Sequence, residues 1–138
     1  MKRFLAATVI LLLVISFISI SVATETEPFE PPVDIDEYSL TSIIAASLNI
    51  SSGVATCGGQ VSAINYGSSC SVTARLQQKQ ANGTWKTIKT WSSSGTNHAS
   101  TGGTYTVSHG SYRVKATATT TYNGDSETVS KYTGIKTY

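Results

Sequence analysis

The residues of this 138-residue chain that could carry chemistry are few. Two cysteines, Cys57 and Cys70, and two histidines, His98 and His109, offer either a Cys–His nucleophile pair or a Cys2His2 zinc site. Their spacings match no zinc finger or zinc ribbon, and both histidines are flanked by the small polar residues that favour loops. We therefore predict neither a catalytic residue nor a metal site from this set.

The carboxylates downstream of residue 37 are Asp125 and Glu127. A glycosidase needs two carboxyl groups that flank a bond. These two are instead neighbours beside the turn sequence Asn123-Gly124, where an Asp commonly serves the turn itself. No glycine-rich phosphate loop precedes a helix, so the sequence predicts a protein that is not an enzyme and has no cofactor.

The two tryptophans, Trp85 and Trp91, are the candidate ligand-binding residues. Indole rings exposed on a flat sheet face would stack on sugars, whereas the same rings turned inward would fill a core. The elements that position them must decide between these alternatives.

The first 23 residues have the order of a secretory signal peptide. Lys2 and Arg3 precede an apolar run from Phe4 to Ile20, which small residues follow up to Ala23. We expect cleavage after Ala23 and a secreted protein with no stable membrane anchor, with an uncleaved N-terminal anchor as the alternative.

An oxidising compartment favours a disulfide between Cys57 and Cys70, the two cysteines of the chain. A tight hairpin between them would not bring them together. The bond therefore requires the two cysteines to lie on different sheets.

The charges divide into two parts. Residues 24–37 carry six acidic residues, no Lys or Arg, and all three prolines, which predicts a disordered acidic leader over 24–40. From Tyr38 onward eight basic residues face two acidic ones. This split is either a solubilising tail beside an ordinary surface, or a basic face that meets the leader or an anionic polymer such as those of a cell wall. The excess is too small and too scattered to indicate nucleic acid.

Residues 41–138 are rich in Ser, Thr, Gly, Val and Tyr, and they alternate at period two, which predicts strands. We place seven strands at 47–51, 54–64, 70–80, 84–91, 104–108, 111–122 and 126–135, with a polar loop over 92–103. Such a pattern predicts an all-β sandwich of two antiparallel sheets.

The strand order resembles an immunoglobulin or fibronectin type III sandwich. Within it, "HGSYRVKATA" is similar to the tyrosine corner of those folds, in which the hydroxyl of Tyr112 would bond back to the preceding connection.

The segments "ISSGVATCGGQVSA", "TARLQQK", "WKTIKTW" and "GSYRVKATATT…SETVSKY" also resemble a group of small secreted, largely uncharacterised proteins of Gram-positive bacteria. The resemblance covers nearly all of residues 44–138. It implies a secreted immunoglobulin-like sandwich without implying an activity. "VTARLQQKQANGTWKTI" is similar to bacterial immunoglobulin-like repeats that act as spacers or adhesive units.

The orientation of the tryptophans depends on the hairpin at Asn82-Gly83. A two-residue loop pairs Leu76 with Lys89 and turns both tryptophans inward, whereas a three-residue loop pairs Leu76 with Ile88 and turns both outward. A further bulge between Ile88 and Trp91 would bury both of these residues. We favour Ile88 inward and Trp85 outward.

The resulting functional prediction is a non-catalytic secreted interaction or adhesive module whose partner is an extracellular protein or a cell-wall or glycan polymer. The alternative is a carbohydrate or cell-wall binding module that uses exposed Trp85 and Trp91. A secreted antagonistic peptide is a third possibility.

Overall fold

The structure is a computed structural model that describes residues 26–27 and 38–138. Its strands, numbered in chain order, are β1 (Thr26–Glu27), β2 (Thr41–Ser51), β3 (Val54–Ala63), β4 (Ser69–Lys79), β5 (Trp85–Thr96), β6 (His98–Thr106), β7 (Ser111–Tyr122), β8 (Asp125–Tyr132) and β9 (Lys136–Thr137). Each of these strands pairs with its neighbours in antiparallel fashion. The signal-peptide prediction and most of the leader lie outside the described residues.

Two sheets form the domain. The smaller sheet has the order β2-β3-β6, and the larger sheet has the order β1-β5-β4-β7-β8, with β9 pairing with the start of β7. The sheets pack face to face, so the prediction of an all-β, two-sheet antiparallel sandwich of the immunoglobulin/fibronectin III-like kind is confirmed.

Alternation of side chains builds the core. Along β4 the inward residues Cys70, Val72, Ala74 and Leu76 are buried, and β7 repeats the pattern from Tyr112 to Ala118. The centre of the sandwich is made of small residues: a Cβ atom on Gly59 of β3 would lie only 3.3 Å from the Cβ atoms of Ala74 and Ala116. The two sheets therefore approach closely at this level, and larger aliphatic and aromatic side chains fill the core on either side of it.

The predicted loop over residues 92–103 is wrong. β5 continues to Thr96, and β6 begins at His98 in the other sheet. The single residue between them, Asn97, takes a positive φ of 66°, a conformation that Asn tolerates better than most residues. We call this connection the corner. The inward positions of β6 are small, so the segment has no hydrophobic alternation to mark it as a strand.

The hairpin between β4 and β5 combines both predicted registers. Gly83 has φ 86° and donates a hydrogen bond to the Gln80 carbonyl at 2.9 Å, which is the geometry of the three-residue loop. Next to this loop Lys79 faces Trp85. Beyond the loop an extra residue, Ile88, forms a bulge, after which Leu76 faces Lys89. The predicted pairing of Leu76 with Ile88 is therefore wrong.

The predicted disulfide is absent: Cys57 and Cys70 are both buried and are not bonded to each other. They lie on different sheets, but they belong to different core clusters. Gly59 lies against Val72 and Ala74, so Cys57 is displaced toward one end of the sandwich and Cys70 toward the other. At about 3.3 Å per residue the offset along the strands is roughly 15 Å, twice what a disulfide spans.

Candidate binding surface on the larger sheet

The basic residues, scattered in the sequence, are collected by the fold. All eight Lys and Arg residues of residues 38–138 lie on strands of the larger sheet, and the strands of the smaller sheet carry none. They are Arg75 and Lys79 on β4, Lys86 and Lys89 on β5, Arg113 and Lys115 on β7, Lys131 on β8 and Lys136 on β9. We call this set the basic face.

The basic face occupies one half of the larger sheet. Lys131 faces Ala116 at mid-sheet, and Lys136 faces Tyr112 near the β4–β5 hairpin. The other cations lie between these levels or at the hairpin itself. Asp125 and Glu127 lie at the opposite end, beside the corner. Charge is thus separated along the sheet, which concentrates positive potential at the hairpin end.

Glu127 connects β8 to the segment that leads into β2. Its carboxylate accepts hydrogen bonds from the backbone N–H groups of Ser39 and Thr41, both at 2.8 Å, and of Leu40 at 3.2 Å. Partial burial acts to raise the pKa of Glu127, but these hydrogen bonds outweigh it and hold the pKa below its ordinary value of 4.5. The contact fastens the segment before β2 to β8, which is a structural role.

Arg113 lies between two aromatic rings on the outer side of the larger sheet. Its guanidinium carbon is 4.4 Å from the ring centre of Trp85 and 4.2 Å from that of Tyr132. Its Nε donates to Gln77 Oε1 at 2.8 Å, and Lys115 Nζ is 5.5 Å from the Tyr132 ring centre. Arg113 is only 6% exposed, and the stacking on both rings and the hydrogen bond to Gln77 replace part of the hydration that burial removes.

Trp85 therefore has the predicted outward orientation but is not an exposed platform. The residue is 6% exposed, and Arg113 covers its ring. Trp91, after the bulge, turns inward and packs half-buried against the core. Its indole touches the backbone of Gly103 on β6, where a Cβ would lie 3.0 Å from Cε2, so the glycine provides the space for the ring. The bulge lets Ile88 and Trp91 both pack against the same cluster.

The other half of the outer side of the larger sheet is an uncharged array of hydroxyl groups. Three successive cross-strand rows consist of Ser and Thr alone: Thr96–Ser69–Thr121–Ser126, Ser94–Ser71–Thr119–Thr128 and Ser92–Thr73–Thr117–Ser130. Several of these hydroxyls bond to each other across strands at 2.7–3.0 Å. Such pairs support the sheet. On the outer side they leave only the cations Arg75, Lys79, Arg113 and Lys115. The other members of the basic face, Lys86, Lys89, Lys131 and Lys136, face inward residues of β4 and β7 and therefore project from the edges of the sheet on its inward side.

A shallow cleft of about 420 Å³ opens at the hairpin end, between the edges of the two sheets. Ile88 of β5 and Tyr105 of β6 line it, with Val107 and Tyr112 among the other lining residues. Tyr112 itself is buried, and its hydroxyl donates to the Ser108 carbonyl at 2.7 Å, the bond expected of a tyrosine corner. Tyr105 is 37% exposed, so the cleft presents apolar surface to solvent.

The remaining chemistry-bearing side chains are dispersed. His109 stacks on Tyr138 at 4.6 Å between ring centres, and His98 is exposed at the start of β6. Burial raises the pKa of the Cys57 thiol to about 11, which leaves it protonated and a poor nucleophile. Within residues 26–27 and 38–138, no three His, Cys, Asp or Glu side chains come together in a way that would hold a metal ion.

The sequence predicts a basic face only as one of two alternatives and does not locate it, and it does not predict the cleft. The signal for the location is the distribution of Lys and Arg over the elements, since residues 41–63 and 98–106 contain neither. Only the strand order shows that these two ranges form one sheet.

Comparison with known protein families finds no family model that matches the chain, and no curated protein matches it. The described residues also contain no helix long and apolar enough to cross a bilayer.

Proposed function

We propose that the protein is a non-catalytic extracellular interaction module that binds an anionic partner through the basic face. The observation that carries the proposal is the uneven distribution of charge between the sheets: among residues 38–138, eight cations lie on the larger sheet and none on the smaller one.

Geometry supports an accessible surface. Lys79, Lys86, Lys89, Lys131 and Lys136 are all exposed. No carboxylate of residues 38–138 lies in their half of the sheet, and the one described acidic residue that does is Glu27 of β1, which pairs with Trp85. Clustered like charges steer an oppositely charged partner to the surface and raise its association rate.

The non-catalytic part of the proposal follows from the state of the candidate reactive groups. The Cys57 thiol is buried, Glu127 is held by three backbone N–H groups, and both histidines are exposed whereas both cysteines are buried. Secreted sandwich domains commonly bind partners through sheet faces, edges and loops.

The carbohydrate alternative depends on exposed indoles. Because Trp85 is covered by Arg113 and Trp91 packs inward, the structure offers no tryptophan platform for stacking on sugars. The basic face therefore supports an anionic partner better than a neutral glycan.

The test measures binding of the full chain to labelled poly-L-glutamate by fluorescence anisotropy. We expect binding that weakens steeply between about 0.1 M and about 1 M salt, over which the Debye length falls from about 10 Å to about 3 Å. Reversing Lys79 and Lys131 to Glu is expected to weaken binding.

A matched control places two glutamates on the smaller sheet, at Asn49 and Thr56, both exposed. The control changes the net charge less than the double Glu variant does. The control is therefore compared with the double variant Lys79→Gln/Lys131→Gln, which has the same net charge as the control. Equal losses in these two variants, or binding that is independent of salt, would show that the basic face is not the binding surface.

A further inference from the structure

The outer edge of β5 already carries a short added strand. Thr26 pairs with Lys86, and Glu27 pairs with Trp85, so part of the acidic leader forms β1. The predicted disorder of the leader does not extend to these two residues. β5 itself is twelve residues long, and among the described residues its strand partner on this side reaches only Trp85 and Lys86. An edge of this kind presents backbone N–H and C=O groups to a further strand.

We propose that this edge is a peptide-binding site that takes an extended acidic segment of a partner protein as an added strand, with the chain's own leader as the internal competitor. The inference rests on the proposed function and specifies its partner: a polypeptide rather than an anionic glycan.

Charge explains the choice of an acidic segment. Lys86 and Lys89 project from β5 and are exposed, and Lys79 faces Trp85 across the β4–β5 pair. The segment observed on this edge belongs to a stretch, residues 24–37, that has six acidic residues and no basic ones. Lysines and a bulge on an edge strand discourage its pairing with other strands in general. The same lysines attract an acidic one.

The cleft supplies a place for side chains of the added strand. Successive side chains of a strand project to opposite sides of the sheet. Those of the added strand that point inward would face the side on which Ile88 and Tyr105 line the cleft. In strand addition, main-chain hydrogen bonds provide affinity, and such pockets provide specificity. The preferred segment is therefore acidic with an apolar residue at an inward position.

The experiment uses the full chain and a fluorescent peptide with the sequence of residues 24–37 as the probe. Binding is measured by anisotropy for the wild type, for Lys86→Glu/Lys89→Glu, and for the matched control Lys131→Glu/Lys136→Glu on the opposite edge of the sheet. We expect the β5 variant to lose about ten-fold in affinity, which corresponds to 1.4 kcal/mol, and the control to lose about two-fold.

Two further measurements test the mode of binding. A probe N-methylated at alternate residues keeps its charge but loses main-chain donors, and we expect it to bind far more weakly. A chain with Glu25, Glu27 and Glu30 changed to Gln weakens the internal competitor, and we expect it to bind the probe more tightly than the wild type does.

The outcomes separate the two proposals. Equal losses in the two lysine variants, or undiminished binding of the N-methylated probe, would overturn the strand-addition site while leaving an anionic partner in place. Binding of heparin with no binding of the peptide would overturn a polypeptide partner. Failure of the peptide, heparin and poly-L-glutamate to bind would overturn both proposals.

Discussion

At the residue scale, Arg113 is the side chain on which the outer side of the larger sheet depends most. It joins three strands through Trp85 on β5, Gln77 on β4 and Tyr132 on β8. The planar guanidinium stacks on aromatic rings and donates a hydrogen bond at the same time. The ammonium group of Lys cannot make this combination of contacts, so Lys is not an equivalent replacement.

We predict that Arg113→Ala lowers the free energy of unfolding by about 3 kcal/mol, the combined size of two stacking contacts and a charged hydrogen bond. Arg113→Lys is expected to recover only part of this loss. Chemical denaturation measures the effect, with Arg75→Ala, one row away on β4, as a control expected to cost less than about 1 kcal/mol. Similar losses in the two alanine variants would contradict this role of Arg113.

Glu127 makes the stability of the folded protein depend on pH in the acidic range. Because its pKa in the folded state lies below the ordinary value of 4.5, the folded chain binds protons less readily than the unfolded chain. The stabilisation is therefore fully present above pH 4.5 and is lost as pH falls through the folded-state pKa.

We predict that the free energy of unfolding of Glu127→Gln changes less than that of the wild type when pH is lowered from neutral into this range. Urea denaturation at a series of pH values measures the difference. Parallel pH profiles for the two proteins would mean that Glu127 does not hold the segment before β2 in solution.

At the element scale, the β4–β5 hairpin depends on a loop residue with positive φ. Gly83 has φ 86°, and no atom lies within 4 Å of the position that a Cβ atom would occupy there, so conformation rather than space favours glycine. We predict that Gly83→Ala destabilises the protein by about 1 kcal/mol. Gly134→Ala serves as the control, since Gly134 also lies in open space without a positive φ. Thermal unfolding that shifts equally in both variants would contradict the loop assignment.

The elements also differ in how far their sequence predicts them. β4 and β7 alternate Val, Ala and Leu with polar residues, so their inward sides were predictable. β6 was not, because its inward positions hold Ala99, Thr101 and Gly103, which carry little hydrophobic signal. The orientation of Trp91 depended on the bulge at Ile88, a one-residue insertion that no local pattern reports.

Among the candidate site residues, Trp85 was correctly placed outward, but its burial under Arg113 was not predictable. Arg113 lies 28 positions downstream of Trp85, and their contact exists only because β5 and β7 both flank β4. The basic face and the separation of Cys57 from Cys70 likewise arise from strand order and from the offset of one sheet along the other.

At the scale of the whole molecule, the sandwich has one charged sheet and one uncharged sheet. The smaller sheet presents mainly Ser, Thr, Asn, Gln and Gly on its outer side, together with exposed Ile43, Val54 and His98. The larger sheet concentrates cations toward the hairpin and both acidic residues of residues 38–138 toward the corner. The proposed interaction module would therefore contact an anionic partner through the larger sheet rather than the smaller one.

The most direct measurement of this claim is a titration of the ¹⁵N-labelled full chain with poly-L-glutamate, followed by amide chemical shifts. We predict that the shifts change for residues of β4, β5, β7 and β8 in the half of the larger sheet nearest the hairpin, and that β2, β3 and β6 remain unaffected. Changes spread evenly over both sheets, or confined to the smaller one, would contradict a binding face on the larger sheet.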